Sequence, residues 1–196
     1  MRLNGRKGSY MGKAVIINGN PSQVSRLNGM IQYVEQRLLQ AGIEIEHIRV
    51  AELPAEDLIK AKFDSEAILH ANKKVEEAEA IVIASPVYKA AYTGVLKTYL
   101  DLLPQKGLAG KIVLPLFIGG TIAHLLSIDY ALKPVLSALG SRHILGGVYA
   151  VDTWITRNEQ EGYHLSEDLI HRLDEAVTEF AEGIKRRTEL LLERVE

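Results

Sequence analysis

Three short segments of the chain carry residue types that suit a flat ligand with a phosphate group. The segment 85–94 follows an apolar run, 81–84, and contains a Ser-Pro pair, two tyrosines, a lysine and a glycine. Aromatic rings and free backbone groups suit stacking on a planar ring and hydrogen bonding to its polar edge. The segment 19–25 places hydroxyl groups at a predicted helix start, which favours phosphate. The Gly-Gly pair in the segment 118–122 lets a ligand approach the backbone closely.

The candidate binding residues come from these three segments. In chain order they are Ser22, Ser25, Arg26, Asn28, Pro86, Val87, Tyr88, Lys89, Gly119, Gly120 and Thr121. Lys89 is suited to support negative charge on a reduced ring or to meet the phosphate of a nicotinamide nucleotide. Some of these residues also have ordinary structural explanations. Ser25 is suited to cap a helix, and a proline such as Pro86 commonly ends a strand. His124 likewise has two possible roles: it either faces the crevice or is a structural residue.

Strands and helices alternate along the chain between these segments. Apolar runs predict strands over 14–17, 81–84, 111–118 and 144–151, and alternating apolar and charged residues predict an edge strand over 43–50. Apolar residues at helical spacing and capping residues predict helices over 25–40, 54–63, 65–78, 93–103, 122–139 and 166–192. Such alternation predicts a parallel sheet with helices on both faces. Five strands suit the doubly wound, flavodoxin-like α/β fold with strand order 2-1-3-4-5.

That order places the three segments around one crevice, because ligands bind where neighbouring connections diverge at the carboxyl edge of such a sheet.

Two prolines are expected to interrupt regular structure beside these segments. Pro86 is predicted to end the third strand, since it cannot donate to a ladder. Pro134 stands within the predicted helix 122–139, where it is expected to bend the helix or accompany a bulge close to Tyr130.

Composition limits the function classes. The chain has 196 residues, a net charge of -2, and no cysteine. This charge does not favour nucleic acid as a partner, and no apolar run reaches the roughly 18 residues of a membrane span. Disulfides and cysteine chemistry are excluded, so redox chemistry requires a bound cofactor. No His, Asp or Glu spacing indicates a metal site. Residues 1–12 are expected to be a disordered extension, leader or cloning remnant before a single domain, 13–196.

The segment 84–97, with its Ser-Pro-Val-Tyr-Lys core, resembles the signature of the NAD(P)H-dependent FMN reductases of the flavodoxin-like superfamily. Two further runs, Gly-Gly-Thr-Ile-Ala-His-Leu-Leu at 119–126 and Asp-Tyr-Ala-Leu-Lys-Pro-Val-Leu at 129–136, are similar to one subgroup. This subgroup is the FMN reductases of two-component alkanesulfonate monooxygenase systems. The resemblance extends over roughly residues 13 to 150.

The resemblance implies a function and assigns the segments to parts of the flavin. Hydride passes from NADPH or NADH to FMN, and an FMNH2-dependent monooxygenase receives the reduced flavin in the cytoplasm. The FMN phosphate would lie at Ser22, Ser25, Arg26 and Asn28, and the ring against 86–89 and 119–121. Tyr130 is associated with a π-type insertion and with the interface of a homotetramer or homodimer. One departure stands out, because this chain has Gly-Asn-Pro-Ser at 19–22 where the family has Gly-Ser-x-Arg.

Two other functions share these segments. An enzyme with permanently bound FMN that reduces quinones, azo dyes or metal oxyanions would use the same three loops. A flavodoxin-like electron carrier without NAD(P)H activity would use the same fold. Carriers of this kind are markedly acidic, since they dock basic partners, and a net charge of -2 is mild for that role.

Overall fold

A computed structural model describes residues 12–158, 160 and 162–193, with side chains as far as Glu189. The predicted extension 1–12 therefore lies outside the described residues except for Gly12. Within the described part, no helix is long and apolar enough to cross a membrane.

The centre of the fold is a mainly parallel sheet. Its strands are β1 (Lys13–Asn18), β2 (Glu44–Arg49), β3 (Ala80–Tyr88), β4 (Ala91–Tyr92), β5 (Ile112–Gly119), β6 (His143–Ile144) and β7 (Val148–Val151). The order is β2-β1-β3-β5, and β6 and β7 share the place beyond β5. The predicted flavodoxin-like order is therefore confirmed, with β5 as the fourth and β6 with β7 as the fifth parallel position. β2 lies at the sheet edge, as its alternating pattern predicts.

Two short strands, β6 and β7, occupy the fifth position of the sheet, whereas the sequence predicted one continuous strand over 144–151. β6 pairs with the start of β5 and β7 with its end, while the Leu145 N–H donates to the Val113 carbonyl at 2.9 Å. Between them, Gly147 has a φ of +78°, and a Cβ there would stand 2.8 Å from the Pro115 carbonyl oxygen. The chain bulges at this point because glycine alone tolerates both the positive φ and the close approach of the Pro115 carbonyl.

Helices cover both faces of the sheet. They are α1 (Leu27–Gln40), α2 (Ala55–Ile59), α3 (Glu66–Glu77), α4 (Gly94–Leu100), α5 (Lys133–Ala138) and α6 (Glu167–Glu193). Successive strand residues point to opposite faces. Ile16 accordingly belongs to the core under α1 and α6, and Ile17 to the core under α3, α4 and α5. Burial on both faces explains why the central strands read as continuous apolar runs.

Pro86 does not end β3, which corrects the prediction. The strand continues to Tyr88, with Pro86 opposite Ile118 of β5, and then turns into a hairpin with β4. The neighbour on the other side, β1, ends opposite Ala84. Pro86 is therefore at a locally unpaired edge, where the missing N–H breaks no ladder bond.

The predicted helix over 122–139 is also wrong as a single element. The chain forms a 3₁₀ turn at Ile122–His124, a π-helix at Ile128–Leu132, and then α5. Pro134 lies in the first turn of α5, where the absent N–H costs no helical bond. The irregularity expected near Pro134 and Tyr130 is confirmed, and it takes the form of the π-helix.

A small hairpin, β8 (Ile155–Asn158) with β9 (Gly162–Leu165), precedes α6 and was absent from the sequence prediction. The side chain of Tyr163 in β9 lies on α1 at Gly29, where an added Cβ would stand 2.8 Å from the Tyr163 Cβ. The glycine in the first turn of α1 is therefore a packing requirement of this hairpin.

Candidate functional site

The first two candidate segments are joined by Thr93, which stands at the start of α4. Its hydroxyl donates to the Gly19 carbonyl at 2.6 Å and accepts from the Leu96 N–H at 3.0 Å, so it also caps the helix. Its own N–H donates to the Ser85 hydroxyl oxygen at 3.0 Å. Thr93 is 1% exposed. Because these bonds are buried, the segments 19–25 and 85–94 hold a fixed mutual position.

Asparagine side chains build the segment 19–25 from within. The Asn18 carboxamide oxygen accepts from the Asn20 N–H at 3.0 Å. Asn20 is 6% exposed and bonds twice to the Ser22 backbone, accepting from its N–H at 3.2 Å and donating to its carbonyl at 2.7 Å. Asn28 closes the loop by donating to the Gln23 carbonyl at 2.8 Å. The segment is a preformed turn that precedes α1.

Three backbone groups of this turn remain available to a ligand. The N–H groups of Gln23, Ser25 and Arg26 have no hydrogen-bond partner among the described residues. The Ser25 hydroxyl accepts from the Leu27 N–H at 3.2 Å, which confirms its capping role. Free N–H groups at a helix start form a cradle for an anion.

A hollow of about 100 Å³ lies beside this turn. It is lined by Ser22, Asn28 and also by Arg49, the last residue of β2. Arg49 makes an exposed ion pair with Glu52 at 3.7 Å, an arrangement of little energetic value. The sequence analysis missed Arg49. Its place at the carboxyl end of a predicted strand, where such sheets bind ligands, was the available signal.

The second segment is the tight hairpin between β3 and β4. Its turn residues, Lys89 and Ala90, have φ values of +51° and +63°. Both values lie in the left-handed region, which residues other than glycine and asparagine rarely adopt. Tyr88 next to them is 53% exposed. The strained turn thus holds an aromatic ring and a lysine at the rim of the site, as is common for functional loops.

The third segment is held by Tyr149 of β7, a second residue that the sequence analysis missed. Its hydroxyl donates to the Thr121 carbonyl at 2.7 Å. A Cβ at Gly119 would overlap the Tyr149 hydroxyl oxygen. The same added Cβ would lie 3.5 Å from the Cβ of Val87, so the third segment touches the second. Burial, and then the charge of Asp152, raises the pKa of Tyr149, which keeps the phenol a donor.

The other candidates of the third segment take ordinary positions. The Thr121 hydroxyl caps the following 3₁₀ turn by accepting from the Ala123 N–H at 3.3 Å. Gly120 is exposed, and so is His124, which has no bonded partner within the described part of the chain. Tyr130 projects from the π-helix and is 79% exposed. In the regions that the structure describes, no group of three His, Cys, Asp or Glu side chains could hold a metal.

The three segments therefore form one continuous rim at the carboxyl edge of the sheet, as the strand order predicted. The family model for NADPH-dependent FMN reductases matches residues 13–156. The chain belongs to this family. The reductase is 42% identical over 179 residues to an FMN reductase (NADPH) of Escherichia coli K12, a match that covers 89% of this chain and 91% of the relative. A second FMN reductase (NADPH), from Pseudomonas putida, is 42% identical over 174 residues and 88% of each chain.

A solved structure agrees with these relatives. The reductase matches an NADH:FMN oxidoreductase, EMOB, in its apo form with a TM-score of 0.79 and 32% identity, over 88% of this chain and 89% of that one. Family and relatives make the protein an NAD(P)H:FMN oxidoreductase that uses FMN with NADPH or NADH. The free amides of the first segment and the glycine backbone of the third fit a phosphorylated, planar molecule of this kind.

Replacing Ala90 with glycine should stabilise the reductase by about 1 kcal/mol, because a left-handed φ costs alanine that much more than glycine. Urea unfolding of both proteins measures the difference. Ala91→Gly is the matched control in the same hairpin. It should destabilise by roughly 0.5–1 kcal/mol, since Ala91 lies in β4 without a positive φ. Equal effects of the same sign would show that the turn is unstrained.

Proposed function

We propose that FMN binds across the three segments, with its phosphate at the segment 19–25. The unpaired N–H groups of Gln23, Ser25 and Arg26 supply donors, and the partial positive charge of the α1 start adds to them. Ser22 and Asn28 line the adjoining hollow. Their side chains already bond within the turn, so their main contribution is to hold the amides in place.

Arg49 takes the part of the arginine that the family pattern has at position 22. Ser22 at this position has no charge, whereas Arg49 approaches the same hollow from β2. Arg26 stands at the first turn of α1 and adds a second positive charge. Both arginines are exposed, so the attraction that they exert on a phosphate is weaker than that of a buried, bidentate arginine.

The isoalloxazine ring lies against the hairpin and the glycine segment in this proposal. FMN, when bound, supplies the ring that accepts hydride from the nicotinamide. The chain's own part is to orient it: Val87 and Gly119 form the floor, and Tyr88 stands at the rim. Lys89 brings a positive charge beside the ring, where it stabilises negative charge after reduction. No side chain acts as a nucleophile.

We further propose that FMN is a substrate which leaves after reduction and serves an FMNH2-dependent monooxygenase. The observation that carries this is the phosphate turn, where Asn-Pro-Ser replaces the Ser-x-Arg of the family and the charge comes from exposed arginines. A flavin held in this way dissociates readily. The resemblance of 119–136 to alkanesulfonate-system reductases points to desulfonation of organosulfonates. We propose the cytoplasm as the location, because the chain uses NAD(P)H and has no cysteine.

Purified reductase should oxidise NADPH only when free FMN is added, and the rate should saturate with FMN. The absorbance of NADPH measures this directly, and NADH in parallel establishes the preferred nucleotide. Activity without added FMN, in a yellow protein, would contradict the substrate role and favour an enzyme with fixed flavin and a quinone or azo acceptor. Absence of oxidation with excess FMN would instead favour an electron carrier.

Arg49→Gln should raise the KM for FMN about tenfold, since a hydrogen bond to a charged group contributes about 1.5 kcal/mol or more. Riboflavin, which has no phosphate, should show an unchanged KM. Arg37→Gln is the matched control, because Arg37 lies on α1 and pairs with Asp174 at 2.8 Å away from the hollow. The role of Arg49 would be disproved by an equal change for FMN and riboflavin.

An apolar patch lies next to the flavin site. It consists of Tyr88, Ile122, Leu125, Leu126 and Tyr130, which are 44–79% exposed. The patch joins the hairpin to the π-helix, because β4 packs against that helix. Grouped exposed apolar residues of this kind mark interaction surfaces. We propose that a second copy of the chain covers this patch in a homodimer or homotetramer, with Tyr130 at the contact.

Tyr130→Ala should lower the association state, because it removes the most exposed aromatic ring of the patch. Light scattering after size-exclusion chromatography measures the mass at several concentrations. Phe63→Ala is the control, since Phe63 is also an exposed aromatic residue but follows α2 and lies outside the patch. A Tyr130→Ala protein with unchanged mass and flavin kinetics would refute the interface.

A further inference from the structure

A second cleft lies at the opposite edge of the sheet from the flavin site. It has a volume of about 440 Å³, which is within the range of about 300–1,000 Å³ for small-molecule sites. Its walls are the start of β5, the start of β6 and the carboxyl half of α6. β5 has eight residues, so the cleft is about 25 Å from the glycine segment at the other end of that strand.

Cationic side chains dominate the walls of this cleft. They are Lys111, Arg142, Arg186 and Arg187, together with His143. Two carboxylates, Glu179 and Glu182, face the same space. Arg186 pairs with Glu182 at 3.4 Å and so cancels its charge. The remaining wall has an excess of positive charge, because it contains three cations, Lys111, Arg142 and Arg187, and one carboxylate, Glu179.

Among the cations of this cleft, Arg187 is one that has no partner in the described part of the chain. It is partly buried, and its Nε is shielded from solvent without a hydrogen bond. No carboxylate or carbonyl group within the described residues accepts from its guanidinium. The group lies over Gly110, where an added Cβ would stand 2.9 Å from Nη2. A shielded N–H of a cation without an acceptor is costly, which points to an acceptor from outside the chain.

Lys111 and Arg142 flank the same space with their positions fixed. The Lys111 ammonium donates to the Glu76 and Ala78 carbonyls at 2.9 and 2.6 Å, which leaves its third N–H free. Arg142 donates from Nη1 to the Ser137 carbonyl at 3.2 Å. Burial, followed by the charge of Arg187, lowers the pKa of Lys111. Lys111 thus lies close enough to Arg187 to feel its like charge, which the carboxylates of Glu79 and Glu76 oppose only in part.

The geometry points to an anion site in this cleft, which takes a tetrahedral oxyanion such as the phosphate group of a small molecule. The fork of Arg187 binds two oxygens of the anion, and the ammonium of Lys111 and the guanidinium of Arg142 supply further positive charge. The space beyond the cations accommodates an organic substituent. This site is separate from the proposed FMN phosphate site and does not depend on it.

Calorimetric titration of the full chain with inorganic phosphate and with phenyl phosphate tests the site. Arg187→Gln should weaken this binding at least tenfold. Arg186→Gln is the matched control on the same helix, because Arg186 already has a carboxylate partner, and it should change binding less than twofold. Tighter binding of phenyl phosphate would identify an organic phosphate as the ligand class, and equal binding would identify the free anion; both support the site.

The flavin site also attracts phosphate, so Arg49→Gln is titrated in parallel. Phosphate binding that survives Arg49→Gln and is lost in Arg187→Gln belongs to the cleft. Equal phosphate binding by the wild type and Arg187→Gln would overturn the proposal. Unchanged FMN reductase activity of Arg187→Gln shows that this variant is folded. If it is not folded, Arg187→Lys, which keeps the charge but loses the fork, should still weaken binding severalfold.

Discussion

The hydrogen bond from the buried Thr93 hydroxyl to the Gly19 carbonyl connects the first two segments of the proposed flavin site. It acts across the gap between β1 and β3, which are neighbours in the sheet although the chain between them includes an entire edge strand and several helices. The same hydroxyl begins α4, so one side chain sets the position of the helix, the hairpin and the phosphate turn. A loss of this bond would leave a buried carbonyl unsatisfied and would free both loops.

Close packing imposes a second constraint on the rim of the site. Gly119 has no room for a side chain because the Tyr149 hydroxyl occupies that volume. The hydroxyl in turn anchors Thr121 and keeps the glycine backbone against Val87. Gly119 is buried, whereas Gly120 and Thr121 are exposed, so the packed glycine holds an accessible stretch of backbone in place. Rigid support of this kind is what allows a shallow site to select a flat molecule.

The two irregularities beside the site have different causes. The hairpin turn is strained, since Lys89 and Ala90 both adopt left-handed backbone angles that their side chains disfavour. The π-helix is an insertion in which the wider turn pushes Tyr130 outward, and Pro134 then restarts a regular helix. Both features place an aromatic ring at the surface next to the site. One exposed apolar patch includes both rings.

The sequence by itself determined the strands, their alternation with helices and the three segments at the carboxyl ends of the strands, because apolar runs and helical periodicity are local signals. It also indicated the irregular helix around Tyr130, since Pro134 cannot occupy a helix interior. Only the tertiary structure decided that β3 continues through Pro86, because this depends on where the neighbouring strand β1 ends. Tyr149 and the cleft at Arg187 also emerged only there. Their roles come from residues distant in the chain that folding brings together, and no local pattern records such contacts.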